Sequence, residues 1–155
     1  MSRQDAFQQT LLGGMFTSND AGAGTKWSRA HNAQGQNIFE KWWLWMRTPD
    51  LSSSDDDVVA GNHAALCATT NRLFFLTEKG YIGLRPAASL DGDVIVVIDG
   101  SHLPTIFRPG VYGIDGKQES TFKVLGDSFV QGLVDGEAVA MVNNGELEHR
   151  KFILV

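Results

Sequence analysis

The stretch Asn71-Arg-Leu-Phe-Phe-Leu-Thr-Glu-Lys-Gly-Tyr-Ile-Gly-Leu84 constrains the fold more than any other, because two runs of aromatic and branched side chains flank a compact turn. Leu73 to Thr77 and Tyr81 to Leu84 have strand composition, and Gly80 can take the positive φ that closes a three-residue loop through a G1-type bulge. A β-hairpin is predicted there. Before it, apolar residues recur at helical spacing; after it, runs of strand length are separated by turn residues.

Three helices are expected upstream. Asp5 to Phe16 puts Phe7, Leu11, Leu12 and Met15 on one helical face, and Gly13-Gly14 weakens its end. Residues 17–36 turn to a composition rich in Gly, Ala, Ser, Asn and Gln, with one tryptophan and no period, which reads as a mobile loop. Asn37 and Glu40 form a capping box for a second helix running to Arg47, where Thr48-Pro49 stops it. Phe39, Trp42, Trp43 and Met46 line one face of that helix while Ile38 and Trp45 point elsewhere, so it is apolar around more than half its girth. Two readings fit this: a helix wedged between other elements, or a partner-binding face made by Trp42, Trp43 and Trp45. Ser54 and Asp57 cap a third helix, Asp56 to Ala68, that carries Val59, His63 and Leu66 towards the core.

Downstream, Val94-Ile-Val-Val-Ile98 is a continuous apolar run expected to be a central strand. Pro104 to Arg108 and Thr121 to Val130 are further strands around a glycine-rich loop, Gly110 to Ser120. Ala138 to Met141 and Glu148 to Leu154 complete the set across an Asn143-Asn-Gly145 turn. The predicted class is α+β: a small, partly closed antiparallel β-barrel of six or seven short strands with N-terminal helices packed on one side. At 155 residues this is read as a single domain, with a helical layer over residues 1–70 and the barrel over 71–155.

Composition excludes several functions. A net charge of -5 argues against phosphate-backbone binding, so no nucleic-acid partner is expected. No apolar run approaches the ~20 residues that span a bilayer, so no membrane partner is expected either. Cys67 is the single cysteine and no signal-peptide pattern opens the chain, which points to a reducing, cytoplasmic setting. Gly22-Ala-Gly24 and Gly116-Lys117 lack the remaining residues of phosphate-binding loops, and Ser52 to Asp57 lacks the glycine and glutamate of a calcium loop. Cys67 lies four residues after His63, within reach in a helix, but a buried, packed cysteine is the expected use. No cofactor and no metal are expected. Asp127, Asp135 and Glu137 are the dense carboxylates of the β half; they sit beside glycines, as turn acids do. With Arg108 they form the candidate ligand pocket of an alternative reading, a small-ligand-binding barrel or enzyme with its site at the barrel mouth.

In order and spacing, several segments resemble the C-terminal region of fungal heterokaryon incompatibility (HET domain) proteins. They are Arg72-Leu-Phe-Phe-Leu-Thr77, Gly80-Tyr-Ile-Gly-Leu84, Gly92-Asp93-Val94, Pro104 with Arg108, Val124-Leu-Gly126 and Phe129-Val130-Gln-Gly132-Leu-Val-Asp135-Gly136-Glu137. Ala6-Phe7-Gln-Gln-Thr10-Leu11 is similar to the family's helix upstream of that region. Phe129, Gln131 and Val134 stand where the family often has tyrosine, histidine and methionine. The Tyr-x-Trp-Gly signature of the HET domain itself is not found in the sequence. The resemblance implies a non-enzymatic recognition or regulatory role in self/non-self recognition, through a protein partner that is a HET domain or a copy of the chain. It carries no catalytic residues with it.

Overall fold

The computed structural model describes residues 3–20, 24–48, 54–114 and 117–155. Pro49, Gly22 and Gly116, weighed above, lie outside them. The chain divides into two compact units, Met1–Thr70 and Asn71–Val155.

The first unit opens with α1 (Arg3–Leu11). It ends sooner than its apolar spacing predicts, because Gly13 and Gly14 adopt φ of 59° and 70°. Their N–H groups donate back to the Thr10 and Gln9 carbonyls at 3.1 and 2.7 Å, a Schellman closure. The next residues are not the expected mobile loop. They form an antiparallel hairpin of β1 (Met15–Asp20) and β2 (Gly24–Arg29), paired from Met15 with Arg29 to Asp20 with Gly24. Backbone pairing needs no side-chain period, and the neighbours Phe16 and Thr17 are both buried, so the apolar and polar residues do not alternate.

Helix α2 (Ala33–Arg47) starts a turn earlier than the Asn37 box predicts. Its cap is Asn32, whose Oδ1 accepts from Gly35 N–H at 2.8 Å, while Asn37 donates to Asp57 at 3.0 Å instead. Gly35 permits the tight entry, since a Cβ there would stand 2.4 Å from the Ala30 carbonyl oxygen. Helix α3 (Asp56–Thr69) is capped by Asp55, not Ser54; its carboxylate accepts from Asp57 N–H. That N–H, with Lys41 from α2 at 3.2 Å, holds the Asp55 carboxyl below its usual range.

The buried face of α3 is Val58, Gly61, Ala64 and Ala65, not Val59, His63 and Leu66. Small residues let two helices approach closely, and a Cβ on Gly61 would lie 2.6 Å from the Trp42 Cβ. The core of this unit is Leu12, Phe16, Ala30, Ile38, Phe39, Trp42, Ala64 and Ala65.

In the second unit the opening hairpin is as predicted. β3 (Arg72–Leu76) pairs with β4 (Ile82–Pro86), and Gly80 has φ of 86°. Thr77 N–H donates to Tyr81 C=O at 2.8 Å and Gly80 N–H to Thr77 C=O at 2.9 Å, closing the turn. The short β8 (Phe129–Val130) pairs on the other side of β4. A second antiparallel sheet has the order β5 (Val94–Val96), β6 (Thr105–Ile114), β7 (Lys117–Asp127). The run Val94 to Ile98 therefore supplies a short edge strand, not a central one, and Val97 and Ile98 lie beyond its end, exposed. Gly110 to Ile114 and Lys117 to Ser120, expected as a glycine-rich loop, are strand: Gly110 and Gly113 sit within β6, paired with Thr121 and Gln118 of β7.

Ala138 to Met141 belongs to a helix, α4 (Glu137–Asn143), which Gly145 at φ of 75° follows. A short apolar run cannot by itself distinguish strand from helix. Glu148 to Leu154 forms no strand; Leu154 makes a single parallel bridge to Phe122. The fold is thus mixed helix and sheet, with two three-stranded sheets in this unit, and the described residues do not close into a barrel. Leu84, Ile106, Phe107, Phe122, Phe129, Val130 and Ala138 are its buried apolar residues.

Candidate functional site

The polar residues proposed for a ligand pocket do not converge. Arg108, on β6, is bound by both ends of Asp93: Nε to Oδ1 at 2.9 Å and Nη2 to Oδ2 at 2.8 Å, with a further donation to the Ala88 carbonyl. Arg108's hydrogen bonds, with the Leu90 N–H adding to them, hold the Asp93 carboxyl below its usual range against the opposing effect of burial. The same pair pushes Arg108 up. This clamp fixes the turn between β4 and β5. Asp127 is taken by Arg72, whose guanidinium reaches its carboxylate at 2.8 Å and its carbonyl at 2.9 Å. Asp135 and Glu137 do come together, but as a turn: the Asp135 N–H donates to Glu137 Oε2 at 2.7 Å. The structure thus commits the Arg108, Asp127 and Glu137 side chains to three separate local tasks, with the Asp135 backbone in the third. Sequence spacing could not reveal Asp93 and Arg72 as the counter-ions, since the second pair is 55 residues apart.

The tryptophans of α2 are divided in the same way. Trp42 is 4% exposed and belongs to the core, which corrects its place in a partner-binding face. Trp43 stacks on Phe39 at 5.7 Å and receives the edge of Phe7 at 5.9 Å; Trp45 is half-buried against the same core. A shallow groove of about 380 Å³ beside Trp43 is lined by Phe7, Phe39 and Leu44 with Gln4, Glu40 and Arg47 at its sides.

Exposed apolar residues also lie together on α3 and β2. Val59, His63, Leu66 and Cys67 follow one another at helical spacing and are all exposed, with Val59 at 52% and Leu66 at 57%. Trp27, on β2, is 44% exposed and its ring stands 5.7 Å from that of His63. Cys67 is exposed, not buried as expected; its Sγ is 3.7 Å from His63 Nε2. The i, i+4 spacing correctly placed these two together, but the choice of inner face was reversed. The signal that could have found it is size: the small residues of α3 share one face. Among the described residues no group of three or more His, Cys, Asp or Glu side chains could hold a metal ion, and no helix is long and apolar enough to cross a membrane.

Comparison with known proteins agrees with the motif order. The chain is 36% identical over 63 residues to heterokaryon incompatibility protein 6, OR allele, of Neurospora crassa, a stretch covering 41% of this chain and 9% of that protein. The aligned part thus spans about a tenth of that relative's length. No solved structure matches the chain. The family described as the Het-6 beta-barrel domain matches residues 46–155, from the end of α2 through α3 and all of the second unit. With most of its length matched, the chain belongs to the Het-6 beta-barrel domain family, related to fungal heterokaryon incompatibility proteins.

Proposed function

We propose that this chain is a non-enzymatic recognition or regulatory domain of the heterokaryon incompatibility type, acting through protein–protein contacts. One observation carries the reading: the charged groups of Arg108, Asp127 and Glu137 are spent on holding strands and turns, while α3 turns Val59 and Leu66, with Trp27 beside them, to the surface. Exposed apolar side chains grouped on one helix are the usual mark of a partner surface. The partner is a HET domain or a second copy of the chain, and the setting is cytoplasmic.

The test is sedimentation of the chain alone and mixed with a purified HET domain of a fungal incompatibility protein. Complex formation with either partner is expected, together with protection of Trp27 from acrylamide quenching. Val59→Asp with Leu66→Asp should weaken the complex by about a hundredfold, the loss of two central apolar contacts. A chain that stays monomeric and binds no HET domain at tens of micromolar would overturn the proposal.

A further inference from the structure

β7 is the last strand of its sheet, so alternate N–H and C=O groups along it face away from β6. At Phe122 this outer edge is already occupied by residues 153–155 of the chain itself. The Phe122 N–H donates to the Ile153 carbonyl at 2.8 Å, and the Val155 N–H donates to the Phe122 carbonyl at 3.1 Å. Leu154 is thereby the parallel partner of Phe122. Two positions earlier, Phe152 stands edge-on to Phe122 at 4.8 Å and to Phe107 at 5.4 Å, both of them core residues.

The segment is docked on the sheet, not woven into it. It makes one bridge instead of a ladder, and Ile153, Leu154 and Val155 all remain exposed. Beyond its two main-chain bonds, its anchor in the core is the Phe152 ring. Strand addition of this kind takes affinity from main-chain bonds and selectivity from alternate side chains.

We propose that the outer edge of β7, with the Phe107 and Phe122 rings, is an acceptor site for an extended segment of a protein partner, and that residues 150–155 occupy it as an internal competitor. The chemistry of the occupant is read from the segment already seated: an aromatic residue, a large aliphatic residue two positions later, and a backbone running parallel to β7. The inference deepens the interaction reading above and is tested apart from it, because its probe is a peptide and not a HET domain.

The experiment titrates the isotope-labelled full chain, and its Phe152→Ala variant, with a synthetic peptide of residues 150–155. The variant should bind the peptide about tenfold or more tightly than the parent chain, with amide shifts at Ser120, Phe122 and Val124. A peptide carrying Phe152→Ala should produce none. Equal affinity of the two chains, shifts centred elsewhere, or no binding by a folded variant would overturn the site. Should the variant fail to fold, amide hydrogen exchange of the parent chain decides. A detachable segment requires Phe122 to exchange about tenfold or more faster than Thr121 and Lys123, whose amides face β6. Exchange of all three together would overturn the proposal.

Discussion

At Gly61 two effects of opposite sign compete. Alanine in a helix interior is favoured over glycine by about 1 kcal/mol, but here its Cβ would stand 2.6 Å from the Trp42 Cβ and 3.0 Å from its Cγ. Overpacking a close helix pair costs about 1–3 kcal/mol, so Gly61→Ala should lower stability in urea unfolding despite its better propensity. A more stable variant would mean that α2 and α3 separate freely. Gly80 isolates the backbone term, since nothing lies within 4 Å of a Cβ placed there. Gly80→Val should cost about 1–3 kcal/mol through its φ of 86° alone, and an unchanged melting temperature would refute that account. Asp93 supplies a pH dependence. Its folded pKa lies below the unfolded value, so its contribution is complete above the ordinary carboxylate pKa of about 4 and is lost as pH falls through the lowered one. Asp93→Asn should flatten that acid limb and cost on the order of 2 kcal/mol near neutral pH, read from unfolding free energies along a pH series.

Among the elements, the 72–86 hairpin was legible because three signals coincide in it: strand composition, a short turn and a glycine at the position of positive φ. Helices α2 and α3 were legible from their apolar content and from the acidic start of α3, but their ends were not. Asn32 and Asn37 are equally competent caps, and Asn32 is used where the chain turns past Ala30 with Gly35 giving room. On α3 residue size is no sign of burial, and the inner face is the one the apolar spacing leaves outside. Two facing helices that include Trp42 need small residues opposite it, and the large ones are left outside. The stability of α3 should therefore be insensitive to Leu66→Asp, with a change within about 0.5 kcal/mol, whereas Ala65→Asp should unfold the first unit. Circular dichroism melts of the two variants separate these outcomes. The β1–β2 hairpin and the distal part of the β6–β7 pair carry no strand signal in the sequence, since polar residues in the one and glycines in the other hide pairing that backbone bonds alone sustain.

For the molecule as a whole, a net charge of -5 sets a prediction from composition alone. The chain should show no binding to duplex DNA in a fluorescence assay even at about 50 mM salt, where phosphate contacts are strong. Family membership was also legible, because it rests on ordered local signatures such as Gly80-Tyr-Ile-Gly-Leu84 and Asp135-Gly136-Glu137, each of them a turn or strand that short-range chemistry specifies. The amino-acid sequence by itself determined the change of period near residue 71, the hairpin that opens the second unit and the kinship with heterokaryon incompatibility proteins. Only the tertiary structure decided which residues are free to act. Trp42 goes inward against Gly61, Val59 and Leu66 go outward, and Arg108 and Asp127 are each claimed by partners, Asp93 and Arg72, that other strands and turns deliver. Burial and charge pairing are properties of neighbours distant in the chain, and spacing along one segment carries no record of them.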